Sequence, residues 1–325
     1  MKIALCFIIS YDHILNKEKQ WIRWIEPNKD LINVYFHYGE YKKIKSPWIR
    51  DRAIPIEYIT RTSYFHVVPA YMSLLNYAAF HDKQNQWFCL LTDSCVPIVS
   101  PLKFREMFLT YYKYSIFKWS PAWWDLNHHK RANLHRLQEA YHLANDPWFV
   151  VTRPNVRRFL KYADVNKVIY NIICKGGLAN ESIFAIILQS FGKLTESGTH
   201  IINSSSHVVD WSRMSSSTSP YLFITGNSLE TTVIRSYLKE NKYAMFLRKV
   251  HAEFPDNVLQ SLMMEQDIDP DDVIMARCNW LHWTMFFANL YTRIYSSEIL
   301  IMLGIGFISC VSTYFVCIGL ISNYN

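Results

Sequence analysis

Four short stretches of this chain carry side chains able to do chemistry. Asp93 follows the apolar run Trp87-Phe88-Cys89-Leu90-Leu91 and Thr92. In open α/β sheets ligands bind just beyond the carboxyl ends of such strands. Glu181 stands between Gly176-Gly177-Leu178-Ala179-Asn180 and an apolar helix expected over 182–189. A carboxylate there can be fixed by backbone N–H groups and tuned by an apolar wall, as a general base requires; the same residue also serves as an ordinary first-turn acid. Arg248-Lys249 close the apolar segment Ala244-Met245-Phe246-Leu247. Paired cations suit a diphosphate, the guanidinium by two-pronged contact and the ammonium as a point charge, and they equally suit a solvated surface. Arg213, in Asp210-Trp211-Ser212-Arg213, offers the same pair of readings.

Other chemistries lack their usual residues. A hard divalent cation needs clustered oxygen ligands, and Asp93 is followed by Ser94 and Cys95 rather than a second acid. The acids of Asp267-Ile268-Asp269-Pro270-Asp271-Asp272 have no preceding strand, and His128-His129 and His135 have no partners at ligand spacing. No metal and no resident cofactor is therefore expected. The chain has no Gly-x-Ser-x-Gly, Walker or dinucleotide fingerprint, which removes the usual support for hydrolase, ATPase and dehydrogenase readings.

The elements that must hold these residues follow from periodicity. Strands are expected over 3–9, 31–37, 54–59, 87–91, 148–152 and 221–224, and helices over 14–25, 67–80, 154–162 and 182–189. Strands alternating with helices predict an α/β fold with a mainly parallel sheet flanked by helices. The Ser-rich stretch 203–219 reads as a mobile or ligand-covering loop, and Ala252 to Cys278 as a helical stem.

Composition sets the class. At 325 residues, half of them hydrophobic and 16% aromatic, the chain can bury a large core. Its net charge of +7 allows anionic partners, but no Lys/Arg run interleaved with aromatics marks a nucleic-acid surface, and no nucleic acid is expected. Seven cysteines without a C-x-x-C pair fit reduced thiols better than disulfides. The sequons at Asn180 and Asn203 read as chance matches. Ile299 to Ile321 is an uncharged apolar run of about 23 residues, long enough for one transmembrane helix, with Trp280, Trp283, Phe286, Phe287 and Tyr291 before it as an interfacial belt. Arg277 and Arg293 on its amino-terminal side favour a cytosolic catalytic part with a tail anchor.

Several blocks, in order, resemble the core-2/I-branching β-1,6-N-acetylglucosaminyltransferases, glycosyltransferase family 14. The strongest runs from Ser63 to Ile98: Ala70, Leu74-Leu75, Ala78-Ala79, Asp82, Asn85, Phe88 and Leu90-Leu91-Thr92-Asp93-Ser94-Cys95-Val96-Pro97-Ile98. Further likenesses are Val34-Tyr35-Phe36-His37, Trp148-Phe149-Val150-Val151-Thr152-Arg153, Asn180-Glu181, Val209-Asp210-Trp211-Ser212 and Phe246-Leu247-Arg248-Lys249-Val250. The resemblance covers roughly residues 1–255 and implies a GT-A-like inverting transferase that needs no divalent metal. It implies Glu181 as general base and Lys249 as a phosphate ligand, with Arg213 or Arg248 beside it. His37 and Asp93 would lie on the nucleotide side. The chain departs from the pattern at Asn180, where the family carries an acid, and in having its expected anchor at the carboxyl end.

The resulting expectation is a glycosyltransferase domain over 1–255, a helical stem and interfacial segment over 256–298, and a membrane anchor over 299–321. The reaction implied is transfer of N-acetylglucosamine from its uridine diphosphate donor to a glycan hydroxyl of a glycan or glycoprotein. Trp123, Trp124 and Trp148 are candidate acceptor platforms, because sugar faces stack on aromatic rings, or ordinary core aromatics. The competing reading is a catalytically inactive glycan-binding membrane protein.

Overall fold

The computed structural model describes residues 1–9, 12–63, 65–194, 200–214 and 219–267, together with Thr284. The chain divides into two compact units, Met1–Met263 and Met264–Asn325. The first holds every candidate site residue. The expected anchor at 299–321, and the expected stem beyond residue 267, lie outside the described residues. Among the described residues no helix is long and apolar enough to cross a membrane.

The strands are β1 (Lys2–Ile8), β2 (Ile32–His37), β3 (Asn85–Thr92), β4 (Val96–Pro97), β5 (Ser115–Ile116) and β6 (Trp119–Pro121), followed by β7 (Leu143–Asn145), β8 (Val150–Thr152), β9 (Ile201–Ile202), β10 (His207–Val209) and β11 (Phe246–Arg248). The helices are α1 (Glu18–Ile25), α2 (Pro47–Arg50), α3 (Val68–His81), α4 (Pro101–Tyr111) and α5 (Arg153–Val165), then α6 (Lys167–Cys174), α7 (Ile183–Ser190), α8 (Ser228–Glu240) and α9 (Asp256–Glu265).

The central six-stranded sheet has the order β2-β1-β3-β8-β5-β9. β1 pairs in parallel with both β2 and β3, and β5 with β9, while β8 runs antiparallel to β3 and β5. Both faces are buried, so β1 and β3 read as continuous apolar runs. Ile3, Leu5 and Phe7 point to one hydrophobic cluster with Trp21, Trp24 and Phe246. Ala4, Cys6, Phe88 and Leu90 point to the opposite one with Tyr71, Phe149 and Phe184. A small sheet, β10-β11-β4, and a ribbon, β6-β7, complete the strands.

Helix starts follow sequence chemistry. Ser100 caps α4 by accepting from the Lys103 N–H at 3.0 Å, with Pro101 behind it, and Asn227 caps α8 by accepting from the Glu230 N–H at 3.0 Å. Three expectations are corrected. The helix expected over 14–25 begins at Glu18, because Lys17 takes a left-handed φ of 60° and the three residues before it form a loop. In place of a strand over 54–59 the chain makes one bridge at Ala53 and a 3₁₀ turn at Ile56–Tyr58, Pro55 having no N–H to donate. The strand expected over 221–224 shrinks to a single bridge between Phe223 and Val250. Helices α6 and α8 were not among the expected elements.

Candidate active site

The carboxyl ends of β1, β2 and β3 form one edge of the sheet, and the small sheet is sewn to it. The Asn16 N–H donates to the Asp93 carbonyl at 2.9 Å, Asn16 Nδ2 to the Val250 carbonyl at 2.8 Å, and the Val250 N–H to the Ser94 carbonyl at 2.9 Å. These bonds bring the segment after β11 against the end of β3. Asp93, half-buried at that turn, thus sits beside the loop after β1 and one residue from the Ser94–Val250 bond.

Arg248 and Lys249 then divide their work. Arg248 Nη1 donates to Thr92 Oγ1 and, at 2.8 Å, to Ser94 Oγ, and its guanidinium lies 4.1 Å from the centre of the Trp148 ring. It braces β11 to the end of β3. Lys249 is half-buried, its backbone carbonyl accepts from the Phe223 N–H at 2.8 Å, and its ammonium has no partner among the described residues. Of these adjacent cations, Lys249 is the one available to a ligand.

The remaining nucleotide-side candidates are engaged. His37, at the end of β2, accepts at Nε2 from the Thr60 N–H at 3.3 Å, and burial lowers its pKa to about 4. It is therefore neutral at pH 7 and holds the Thr60 turn. Arg213 Nε donates to the buried Asp210 carboxylate at 2.6 Å and its guanidinium lies 3.9 Å from the Tyr221 ring centre. Its Nη2 is buried without a partner among the described residues. Asp210 also accepts from the Ser212 N–H and hydroxyl, which, with Arg213, holds its carboxyl below the ordinary range against the effect of burial.

Glu181 closes a 3₁₀ turn, Ala179–Glu181, immediately before α7. Leu178 enters that turn in the left-handed region at φ 54°. The side chain is 25% exposed and lies 3.5 Å from Arg131 Nη1. Burial pushes its carboxyl above the ordinary value, the Arg131 guanidinium draws it back, and the Asp146 charge adds to the rise. Arg131 also lies 5.0 Å from the Trp124 ring centre, and Trp123 stands edge-on to Trp124, 79% exposed. Trp148, by contrast, is 8% exposed and carries Arg248 on its ring. Of the three candidate platforms, Trp123 and Trp124 stand on the side of Glu181, and Trp148 is part of the Arg248 brace.

One buried phenol is under the charge of both the carboxylate and Arg248. Tyr71, on α3, is driven up in pKa by burial, while the Arg248 charge lowers it and those of Cys95 and Glu181 raise it. Glu181 and Arg248 thus act in opposite senses on the same buried side chain.

A family model described as Core-2/I-Branching enzyme matches residues 4–231. The chain belongs to that family. It is a family of glycosyltransferases, and its match here takes in His37, Asp93, Glu181 and Arg213 and ends before β11, which carries Arg248 and precedes Lys249. Among curated proteins none matches the chain. Among the described residues of this branching-enzyme relative, no group of three or more His, Cys, Asp or Glu is placed to hold a metal ion.

Arg131, Asp146 and Tyr71 were invisible as site residues in the sequence. Arg131 and Asp146 fall in and just after a polar stretch with no local pattern, and Tyr71 occupies a helical apolar position indistinguishable from core.

Proposed function

We propose that the protein is an inverting glycosyltransferase of GT-A type, needing no divalent metal, that moves N-acetylglucosamine from its uridine diphosphate donor to a glycan hydroxyl. Glu181 takes the proton of the acceptor hydroxyl. The oxygen so activated attacks the anomeric carbon on the face opposite the diphosphate, and the bond from that carbon to the diphosphate oxygen breaks in the same displacement. The negative charge left on the diphosphate is met by the Lys249 ammonium, with Arg213 the nearest further candidate. Fixed positive charge aimed at a developing oxyanion lowers the barrier without reorganising at the moment of reaction.

The observation that carries this reading is the family match over residues 4–231, together with Arg248 bonded to Thr92 and Ser94 at the end of β3 and beside it Lys249, whose ammonium has no partner among the described residues. A raised carboxyl pKa also suits a base that must accept a proton near neutral pH. Trp123 and Trp124 offer aromatic faces to the acceptor beside the base, and the apolar run 299–321 would anchor the enzyme to a membrane.

The test is donor turnover by the protein across nucleotide sugars, with and without chelator, followed by transfer to glycan acceptors. Glu181→Gln is expected to lower kcat by at least about 100-fold with donor binding kept, in line with removal of a general base. Turnover abolished by chelator would refute the cation-only scheme. Equal turnover in wild type and Glu181→Gln would refute Glu181 as base, and glycan binding without turnover in either would favour the inactive glycan-binding reading.

A further inference from the structure

Glu230 stands outside every motif read from the sequence, yet its carboxylate organises the segment that touches both Arg213 and Lys249. Asn227 caps α8, and Glu230 in the first turn is the acid of a capping box, whose side chain ordinarily reaches back to the N-cap N–H. Here it reaches further, to the residues before the cap. Oε2 accepts from the Thr225 N–H at 3.0 Å and the Gly226 N–H at 2.7 Å, and Oε1 from the Ile224 N–H at 3.2 Å and the Tyr221 hydroxyl at 2.9 Å. Gly226 turns through a left-handed φ of 62°, and three successive N–H groups face one carboxylate, as in an anion-binding nest. Glu230 is 1% exposed, so its charge is enclosed by these donors.

The segment so held, 221–226, meets both cations assigned to the diphosphate. The Arg213 guanidinium lies 3.9 Å from the centre of the Tyr221 ring, and the Tyr221 N–H donates to the Asp210 carbonyl at 2.8 Å. Further along, the Phe223 N–H donates to the Lys249 carbonyl at 2.8 Å, and the Phe223 carbonyl accepts from the His251 N–H at 2.9 Å. Arg213 and Lys249 come from different parts of the chain and rest on the same short stretch. With Nε bonded to Asp210 and one face on Tyr221, Arg213 keeps Nη2 buried and without a partner among the described residues. Buried guanidinium donors are ordinarily bonded, and an anion is the partner this charge calls for.

We propose that Glu230 is a positioning residue for the diphosphate site: through the Tyr221 hydroxyl it fixes the ring that carries Arg213, and through the backbone of 224–226 it fixes the segment paired with Lys249. The inference rests on the reading of those two cations as diphosphate ligands. Glu230 itself does not meet the ligand. Its oxygens are occupied by four donors, so an acid stands behind the cations without drawing them away from phosphate. A guanidinium held by Asp210 and laid on a fixed ring loses little freedom when an anion binds, which is what preorganisation supplies. Without the Tyr221 hydroxyl bond the ring and the guanidinium regain that freedom, and affinity falls while the fold remains.

The experiment is calorimetric titration of the full chain with inorganic pyrophosphate and with uridine diphosphate, alongside urea denaturation. Tyr221→Phe removes the hydroxyl and keeps the ring. It is expected to weaken both ligands at least about 3-fold, and Glu230→Gln, which sets an amide NH2 against backbone N–H groups, at least about 10-fold. In an Arg213→Met background the effect of Tyr221→Phe is expected to shrink to within about 1.5-fold, because the hydroxyl acts through Arg213. Pyrophosphate affinity of folded Tyr221→Phe equal to that of the wild type overturns the proposal, and is what a residue that only supports the fold would give, with lowered stability alone. An equal loss with and without Arg213 overturns it too. Where Glu230→Gln does not fold, Tyr221→Phe and its pairing with Arg213→Met decide the matter. Pyrophosphate bound and uridine diphosphate not bound would refute the proposed function and leave this inference standing; a wild type that binds neither overturns both.

Discussion

Replacing Arg248 and Lys249 by methionine, one at a time, separates the brace from the ligand. Methionine keeps a long apolar stem and removes the charge and every donor. Arg248→Met loses two hydrogen bonds from a cation, to Thr92 and Ser94, and the stacking of that cation on Trp148. A hydrogen bond to a charged group is worth about 1.5–3 kcal/mol and a partly desolvated cation–π contact about 1–2 kcal/mol. These terms share one side chain and do not add in full. A loss of about 3 kcal/mol is expected, which for a domain of this size lowers Tm by roughly 6–12 °C. The Lys249 ammonium has no partner among the described residues, so Lys249→Met is expected to change stability by no more than about 0.5 kcal/mol. Its effect belongs to binding: one charge-assisted phosphate contact removed weakens uridine diphosphate by about 10- to 100-fold. Urea denaturation and calorimetric titration with uridine diphosphate read the two quantities independently. Equal destabilisation by both variants, or diphosphate binding lost with Arg248 in a folded protein and kept without Lys249, would refute the division of roles.

His37 and His207 are both buried with pKa values lowered by desolvation, His37 to about 4 and His207 further lowered by the Arg248 charge. Between their unfolded value of 6.5 and those folded values the unfolded chain binds more protons, so stability falls as pH is lowered through that window, by up to about 1.4 kcal/mol per pH unit for each histidine. Denaturation curves at pH 7 and pH 5 check it, and His37→Gln should flatten the dependence. Gly176→Ala would put a Cβ 2.4 Å from the Asn133 backbone nitrogen, which cannot give way cheaply; a loss of about 1–3 kcal/mol is expected, with displacement of the turn that presents Arg131. Glu230 accepts from the Ile224, Thr225 and Gly226 N–H groups and the Tyr221 hydroxyl, which hold its carboxyl below the ordinary value against burial. Its contribution is present above the unfolded value of 4.5 and is lost as pH falls through the folded pKa; Glu230→Ala should cost about 3–5 kcal/mol and loosen the loop paired with the Lys249 backbone.

What the sequence shows and hides about this site follows from how each residue is held. Asp93 follows a strand buried on both faces, whose continuous apolar run gives its position away, whereas His37 closes an edge strand interrupted by Asn33 and was marked only by the family resemblance. Glu181 was legible as the acid between a glycine-bearing turn and an apolar helix, although its place is the last residue of a 3₁₀ turn rather than the helix itself. The division of labour between Arg248 and Lys249 could not be read, because it depends on the hydroxyls of Thr92 and Ser94, more than 150 positions away in the chain. Arg131 was hidden for a different reason: a run of left-handed residues, Lys130, Ala132 and Asn133, has no periodicity and no glycine to announce it. Only the bonds to Ile172 and Gly177, and the close approach of Gly176, make that backbone affordable. Local patterns thus report where strands and helices deliver a side chain. The guanidinium that faces the proposed base comes from an irregular segment, whose shape is dictated by contacts far apart in sequence. A variant that alters proton affinity at Glu181 without touching it should therefore be sought in residues 130–133, and not among the motifs that identify the family.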